Sequence, residues 1–194
     1  MNRFALFLLG LVVLGGALYL GSRKGHVFYG TRLANPKPVD FTLEGSKGPV
    51  RLADFKGKII LIFFGYTHCP DVCPTTLLEI RKAFSALSER ERSQVQVIFV
   101  SVDPERDTPE VADRYAKQFH PSFLGLSGSP EAIRQAAQAF GVYYQKSQVV
   151  SPTEYLVDHT ATTFVVKEGK LVLLFSPDKI KETERVLADL RALL

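Results

Sequence analysis

The stretch KIILIFFGYTHCPDVCPTT, residues 58–76, holds both cysteines of a 194-residue chain, and its reading decides the fold. Its first half, Lys58 to Phe64, is an almost unbroken apolar run of strand length, the pattern of a central strand covered on both faces. Its second half places Cys69 and Cys73 four residues apart, each followed by a proline. Beyond them Leu77, Ile80, Phe84 and Leu87 recur at helical spacing, which predicts a helix from about Pro74 to about Arg90. A helix begun as early as Pro70 would lose a hydrogen bond at Pro74, so Cys73 is expected as the cap and Cys69 in the turn before it. Both sulfurs then lie at the electropositive end of a helix.

Working outward, VQVIFVSV from Val95 is a second buried strand, and the order strand, helix, strand predicts a parallel pair. Upstream, DFTLEGSKGPVRLADFKGK (40–58) alternates apolar pieces with Gly turns, as a hairpin does. Downstream, TPEVADRYAKQF and SPEAIRQAAQAF read as helices opened alike by Thr108-Pro109-Glu110 and Ser129-Pro130-Glu131, and Ser176-Pro177-Asp178 repeats that signal before the last helix. In each, the hydroxyl caps free N–H groups, proline fills the first helical position and the acid meets the helix dipole. TTFVV and KLVLLF flank Lys167-Glu168-Gly169, a second hairpin. The last helix is expected to turn Thr183, Leu187, Leu190 and Leu194 to one side. Together these elements predict an α/β thioredoxin-like fold over residues 38–194, a central mixed sheet flanked by helices.

At the other end, Phe4 to Leu20 is FALFLLGLVVLGGALYL, without a formal charge. As a helix it extends roughly 25 Å, just able to cross a ~30 Å hydrocarbon core if Gly21 and Ser22 are recruited. The apolar run continues past Gly15-Gly16-Ala17, where a signal peptide would be cut, which favours an uncleaved membrane anchor over 1–21. Residues 22–37, rich in Gly, Pro and basic residues, read as a tether. No cysteine lies nearby, which excludes a lipidated anchor. Arg3 is balanced by Arg23 and Lys24, so charge leaves orientation open, but either reading exports the domain. The net charge of +4 comes from 24 basic and 20 acidic residues interleaved along the chain. With no basic stripe set among aromatic platforms, a nucleic-acid partner is not expected.

Two cysteines in an exported domain ordinarily form a structural disulfide, but a bridge closing so short a loop restrains little of the unfolded chain. Their place at a helix start instead favours thiolate, the form that attacks disulfides and binds metals. A thioredoxin-type dithiol usually encloses two residues and faces a proline before a later strand. Here three residues intervene, and DHTATTFVV (158–166) has no proline there but offers His159. Two thiolates and one imidazole form a soft, three-coordinate set that suits Cu(I), whereas structural zinc takes a fourth protein ligand. Met1, the only methionine, cannot complete it. On the residues alone, copper binding and dithiol redox chemistry both stay open. A peroxiredoxin-like site lacks an identifiable Thr and Arg partner. Beside the site, His68 is expected to steer the turn or tune the thiols, Asp103 and Asp107 to serve the turn with Arg106, and Asp158 to point away from His159. Tyr66 and Tyr155 wall the site or fill core, and His120, at a helix end beside Pro121, is expected as a cap or in a solvated position.

The blocks GYTHCPDVCPTT, VSVDPERDTPE and YLVDHTATTFVV resemble, in the same order, the signature blocks of the Sco/SenC family, over about residues 38–194. The resemblance implies a membrane-tethered copper metallochaperone that binds one copper ion, as Cu(I) or Cu(II), through Cys69, Cys73 and His159. Its implied partners are the CuA-bearing subunit of cytochrome c oxidase, a copper donor protein or redox partner, and the membrane. The implied location is a single-pass cell-membrane protein with its domain on the extracytoplasmic, periplasmic side. An alternative also follows from the resemblance: a thiol-disulfide reductase that uses Cys69 and Cys73 as a redox-active pair on the CuA-site cysteines.

Overall fold

The computed structural model describes residues 25–194. Among these residues the main sheet has six strands: β1 (Thr31–Pro38), β4 (Ile59–Gly65), β5 (Val95–Ser101), β6 (Leu124–Leu126), β9 (Thr163–Lys167) and β10 (Lys170–Phe175), in the order β1-β10-β9-β4-β5-β6. β4 pairs parallel with β5, and β5 with β6, while β9 lies antiparallel to β4 and the remaining neighbours are antiparallel. Two small hairpins stand apart, β2 (Thr42–Gly45) with β3 (Gly48–Arg51), and β7 (Tyr144–Ser147) with β8 (Leu156–His159). The helices are α1 (Val72–Ser85), α2 (Glu89–Ser93), α3 (Pro109–Phe119), α4 (Pro130–Phe140) and α5 (Thr183–Leu193). The mixed sheet flanked by helices is the thioredoxin-like layout read from the sequence.

β4 is buried at all seven positions, as its apolar run predicts for a strand with layers on both faces. Phe63 faces the side on which Phe99 stacks with Tyr115 of α3, while Phe64 faces the other and meets Phe140 of α4 and Phe164 of β9. Thr108 and Ser129 cap α3 and α4 as expected, accepting from Val111 N and Ala132 N at 3.3 and 3.2 Å. The β9–β10 turn places Glu168 and Gly169 at φ 50° and 68°, the left-handed pair that a two-residue hairpin requires.

Four expectations are corrected. First, α1 begins at Val72, two residues before Pro74, because the first turn of a helix has no intrahelical acceptors for its N–H groups and a proline there costs nothing. Second, it stops at Ser85 and a short α2 follows, since Ser88 and Glu91 exchange side-chain and backbone bonds in a capping box that restarts the helix. Third, Ser176-Pro177-Asp178 opens a 3-10 turn, Lys179–Lys181, and α5 buries Val186, Leu187 and Leu190, with Leu194 exposed. Fourth, the stretch read as tether contributes β1 from Thr31. This edge strand is held at its start by Asp189 of α5, a fully buried carboxylate that accepts from Tyr29 N, Gly30 N and His26 Nε2 at 3.1, 2.7 and 2.7 Å. Among the described residues no helix is long and apolar enough to cross a membrane, and the expected anchor over 1–21 lies outside them.

Candidate metal centre

The strand-to-helix turn after β4 carries the cysteines. β4 ends at Gly65, where a Cβ would lie 2.8 Å from Cys73 Sγ and 3.0 and 3.1 Å from the rings of Phe63 and Phe99. Only a glycine lets the strand pass so close beneath the sulfur. The turn then closes through Cys69 N donating to the Tyr66 carbonyl at 3.3 Å. Cys73 lies in the first turn of α1, where its N–H has no helical acceptor, and it donates instead to Cys69 Sγ at 3.4 Å. The capping acceptor is therefore the Cys69 sulfur, the reverse of the expected order of cap and turn.

Both cysteines are free thiols, Cys73 fully buried and Cys69 9% exposed, so Cys69 is the sulfur a partner reaches first. Their acidities diverge. The hydrogen bond from the Cys73 thiol, followed by one from His159 and the amides of Asp71 and Cys73, pulls the Cys69 thiol far below its ordinary range, against the effect of burial. The same bond and deep burial push Cys73 upward. Without metal the pair is a thiolate beside a thiol.

His159 arrives from the end of β8. Its Nδ1 lies 3.2 Å from the Thr160 carbonyl, which can only accept, so Nδ1 carries a proton and Nε2 is the nitrogen that faces the sulfurs. Nε2 lies 3.3 Å from Cys73 Sγ. Edge contacts with Phe63 and Tyr66, at ring-centroid distances of 6.0 and 5.9 Å, hold the imidazole upright. The ligand atoms of Cys69, Cys73 and His159 all lie within 4.8 Å of one another, the one such group of metal-ligating side chains among the described residues. A shallow cavity of about 380 Å³, lined in part by Tyr66, Cys69, Pro70, Leu156 and His159, opens onto it.

The other residues singled out fall outside this set. His68 points to the turn, with Nδ1 3.1 Å from Thr67 Oγ1 and 3.7 Å from Asp107. Asp158 faces away from His159 and accepts from Ser147 Oγ at 2.9 Å. His120 ends α3 and pairs with Ser122 Oγ at 2.8 Å. Asp103 and Asp107 serve the turn after β5: Asp103 accepts from Arg106 Nε at 2.5 Å and from Tyr155 Oη at 2.7 Å. Tyr66 walls the cavity, and Tyr155 fills core beneath the hairpin. Thr67 and Ser101 also bond Asp107, at 2.5 and 2.6 Å, but small hydroxyl residues carry no distinguishing signal in a sequence.

The family model described as SCO1/SenC matches residues 30–194. At the level of sequence the chain is similar to the mitochondrial SCO1 homolog 1 of Arabidopsis thaliana, 42% identical over 57% of this chain and 33% of that protein. It is also similar to the mitochondrial SCO2 homolog of Bos taurus, 41% identical over 68% and 50%. The chain thus spans about a third to a half of the length of these relatives. Among solved structures it resembles apo Sco1 from Thermus thermophilus, with a TM-score of 0.83 at 72% identity over 88% of this chain and 99% of that one. It resembles copper-bound ScoI of Bradyrhizobium japonicum with a TM-score of 0.71 at 39% identity over 81% and 99%. The fold agrees with these likenesses, and the chain belongs to the SCO1/SenC family.

Proposed function

We propose that this protein is a membrane-anchored copper metallochaperone, which carries one copper ion on Cys69, Cys73 and His159 and delivers it to the CuA-bearing subunit of cytochrome c oxidase. One observation carries the reading: two sulfurs and the Nε2 of His159 converge within 4.8 Å of one another. This donor set is soft and three-coordinate, which suits Cu(I). An ion there lies next to an open cavity, with Cys69 at its rim, so an incoming thiol of the acceptor can join before a resident ligand leaves. Copper then passes by ligand exchange without entering solution. The apolar segment 4–20 tethers the domain on the extracytoplasmic side, where the oxidase subunit and a copper donor are met.

The test is titration of the reduced protein with Cu(I) against a chromophoric chelator. One equivalent is expected, and equal affinity in wild type and His159→Ala rejects the ligand assignment. The unequal acidities of the two thiols support a second reading, dithiol reduction of the acceptor's cysteines. The Cys69 thiolate attacks the acceptor disulfide and releases one thiolate; Cys73 then gives up its proton and displaces the second, leaving a Cys69–Cys73 disulfide. Two electrons pass to the acceptor, and an external thiol reductant resets the pair. The roles alternate, since the disulfide cannot ligate copper.

A further inference from the structure

We infer that the turn Asp103–Asp107 is a bracket that holds the two halves of the site in register, with Arg106 the positioning residue for His159. The inference rests on the copper reading above, but its geometry is independent of any metal. At one end of the turn, fully buried Asp107 accepts from Thr67 N at 2.8 Å, Thr67 Oγ1 at 2.5 Å and Ser101 Oγ at 2.6 Å, which ties the cysteine turn to the end of β5. At the other end, Arg106 reaches across to the His159 hairpin. Its Nη1 donates to the carbonyl of Tyr155 at 3.0 Å and more loosely to that of Thr153 at 3.4 Å, and its guanidinium stacks 3.6 Å over the Tyr155 ring. Asp103 fixes the guanidinium by accepting from its Nε and accepts from Tyr155 Oη as well. Between these ends Glu105 pairs with Lys146 of β7 at 2.5 Å.

β8 leaves this clamp at Tyr155 and ends four residues later at the imidazole. The hairpin β7–β8 forms its own two-stranded sheet and shares no ladder with the main one. Isolated two-stranded hairpins are marginal in water, so side-chain ties must set its position. Arg106 makes three of them, two hydrogen bonds and the stack on Tyr155, and its side chain is only 11% exposed, which frees its bonds from much solvent competition. The distance from His159 Nε2 to the sulfurs is thus held by an arginine that touches neither.

The full-length chain in detergent tests this with two readouts. In the first, Cu(I) affinity is measured for wild type, Arg106→Ala, His159→Ala and the double variant. Arg106→Ala is expected to weaken binding about 10- to 100-fold, the range for residues that orient a ligand, and to cost less than about 3-fold once His159 is gone. Full additivity of the two losses, or an unchanged affinity in Arg106→Ala, overturns the inference. Asp107→Asn, which loosens the cysteine side, is expected to keep its effect in the His159→Ala background; loss of that effect there equally contradicts a two-ended bracket. In the second readout, hydrogen exchange is followed in the metal-free protein. Amides of 156–160 should exchange at least about tenfold faster in Arg106→Ala, with those of β4 unchanged. If Arg106→Ala does not fold, Tyr155→Phe, which removes only the bond to Asp103, must shift both readouts in the same direction by a smaller factor. Unchanged hairpin exchange defeats the inference whatever the copper result. Accelerated exchange in a chain whose wild type binds no copper sustains the bracket and defeats the copper reading instead.

Discussion

Cys69 and Cys73 follow a strand buried at every position, one just before and one in the first turn of a helix packed into the core, whereas His159 ends a four-residue strand in which only Val157 is buried. The partner strand β7 has no buried residue at all. The thiols are thus set by the same packing that makes the domain fold, while the imidazole depends on a handful of side-chain bonds over a surface hairpin. Sites that must both hold and release a ligand place the movable part where local stability is lowest. In this molecule that part is the histidine side. A copper ion carried as proposed would keep two fixed sulfurs and one ligand whose departure costs little of the fold.

Substitution on the rigid side should have the largest effects. Cys73→Ser or Cys69→Ser is expected to abolish both copper retention and dithiol reduction, measured by metal content after gel filtration and by reduction of a model disulfide. Cys73→Ala should also raise the Cys69 pKa, because the bond from the Cys73 thiol is the main cause of its depression. Alkylation of Cys69 at pH 6 should therefore be fast in wild type, where the pH lies above the depressed pKa, and slow in the variant. Equal rates would remove the account of the thiolate. Next, Gly65→Ala drives a methyl group to 2.8 Å from Cys73 Sγ and should cost about 1–3 kcal/mol in thermal or denaturant unfolding, the usual penalty for overpacking. An unperturbed variant would show that the cysteine side is looser than described.

On the adjustable side, His159→Ala should weaken Cu(I) binding by more than the about 10- to 100-fold typical of outer residues, yet leave the melting temperature and disulfide reduction nearly unchanged. A large drop in stability would mean that the hairpin is part of the core. Smallest of all, Asp158→Asn should change stability by less than about 0.5 kcal/mol and leave copper affinity as it was, since its carboxylate faces Ser147.

The same contrast governs what the sequence reveals. Apolar runs and helical spacing mark β4, β5 and α1, because burial on the core side dictates residue type. The cysteine pair is legible for that reason, and the block YLVDHTATTFVV points to His159 through resemblance. β7 and β8 leave no comparable trace: YQKS and LVDH are short, mixed and mostly solvent-facing, so nothing in their pattern separates strand from loop. β1 is hidden likewise, since TRLANPKP carries two prolines, has no buried position and shifts register between Arg32 and Lys37. The early start of α1 is missed because the rule against proline within helices does not apply to their first turn. Arg106 is visible as a turn residue, but its reach to the hairpin depends on a contact 49 positions away.

The most direct test of the central claim is X-ray absorption at the copper edge of the full chain loaded with one equivalent of Cu(I), recorded for wild type and His159→Ala. Two sulfur scatterers and one imidazole nitrogen are predicted in wild type, with the nitrogen lost in the variant. A wild-type site without imidazole scattering, or identical spectra from the two proteins, would contradict it.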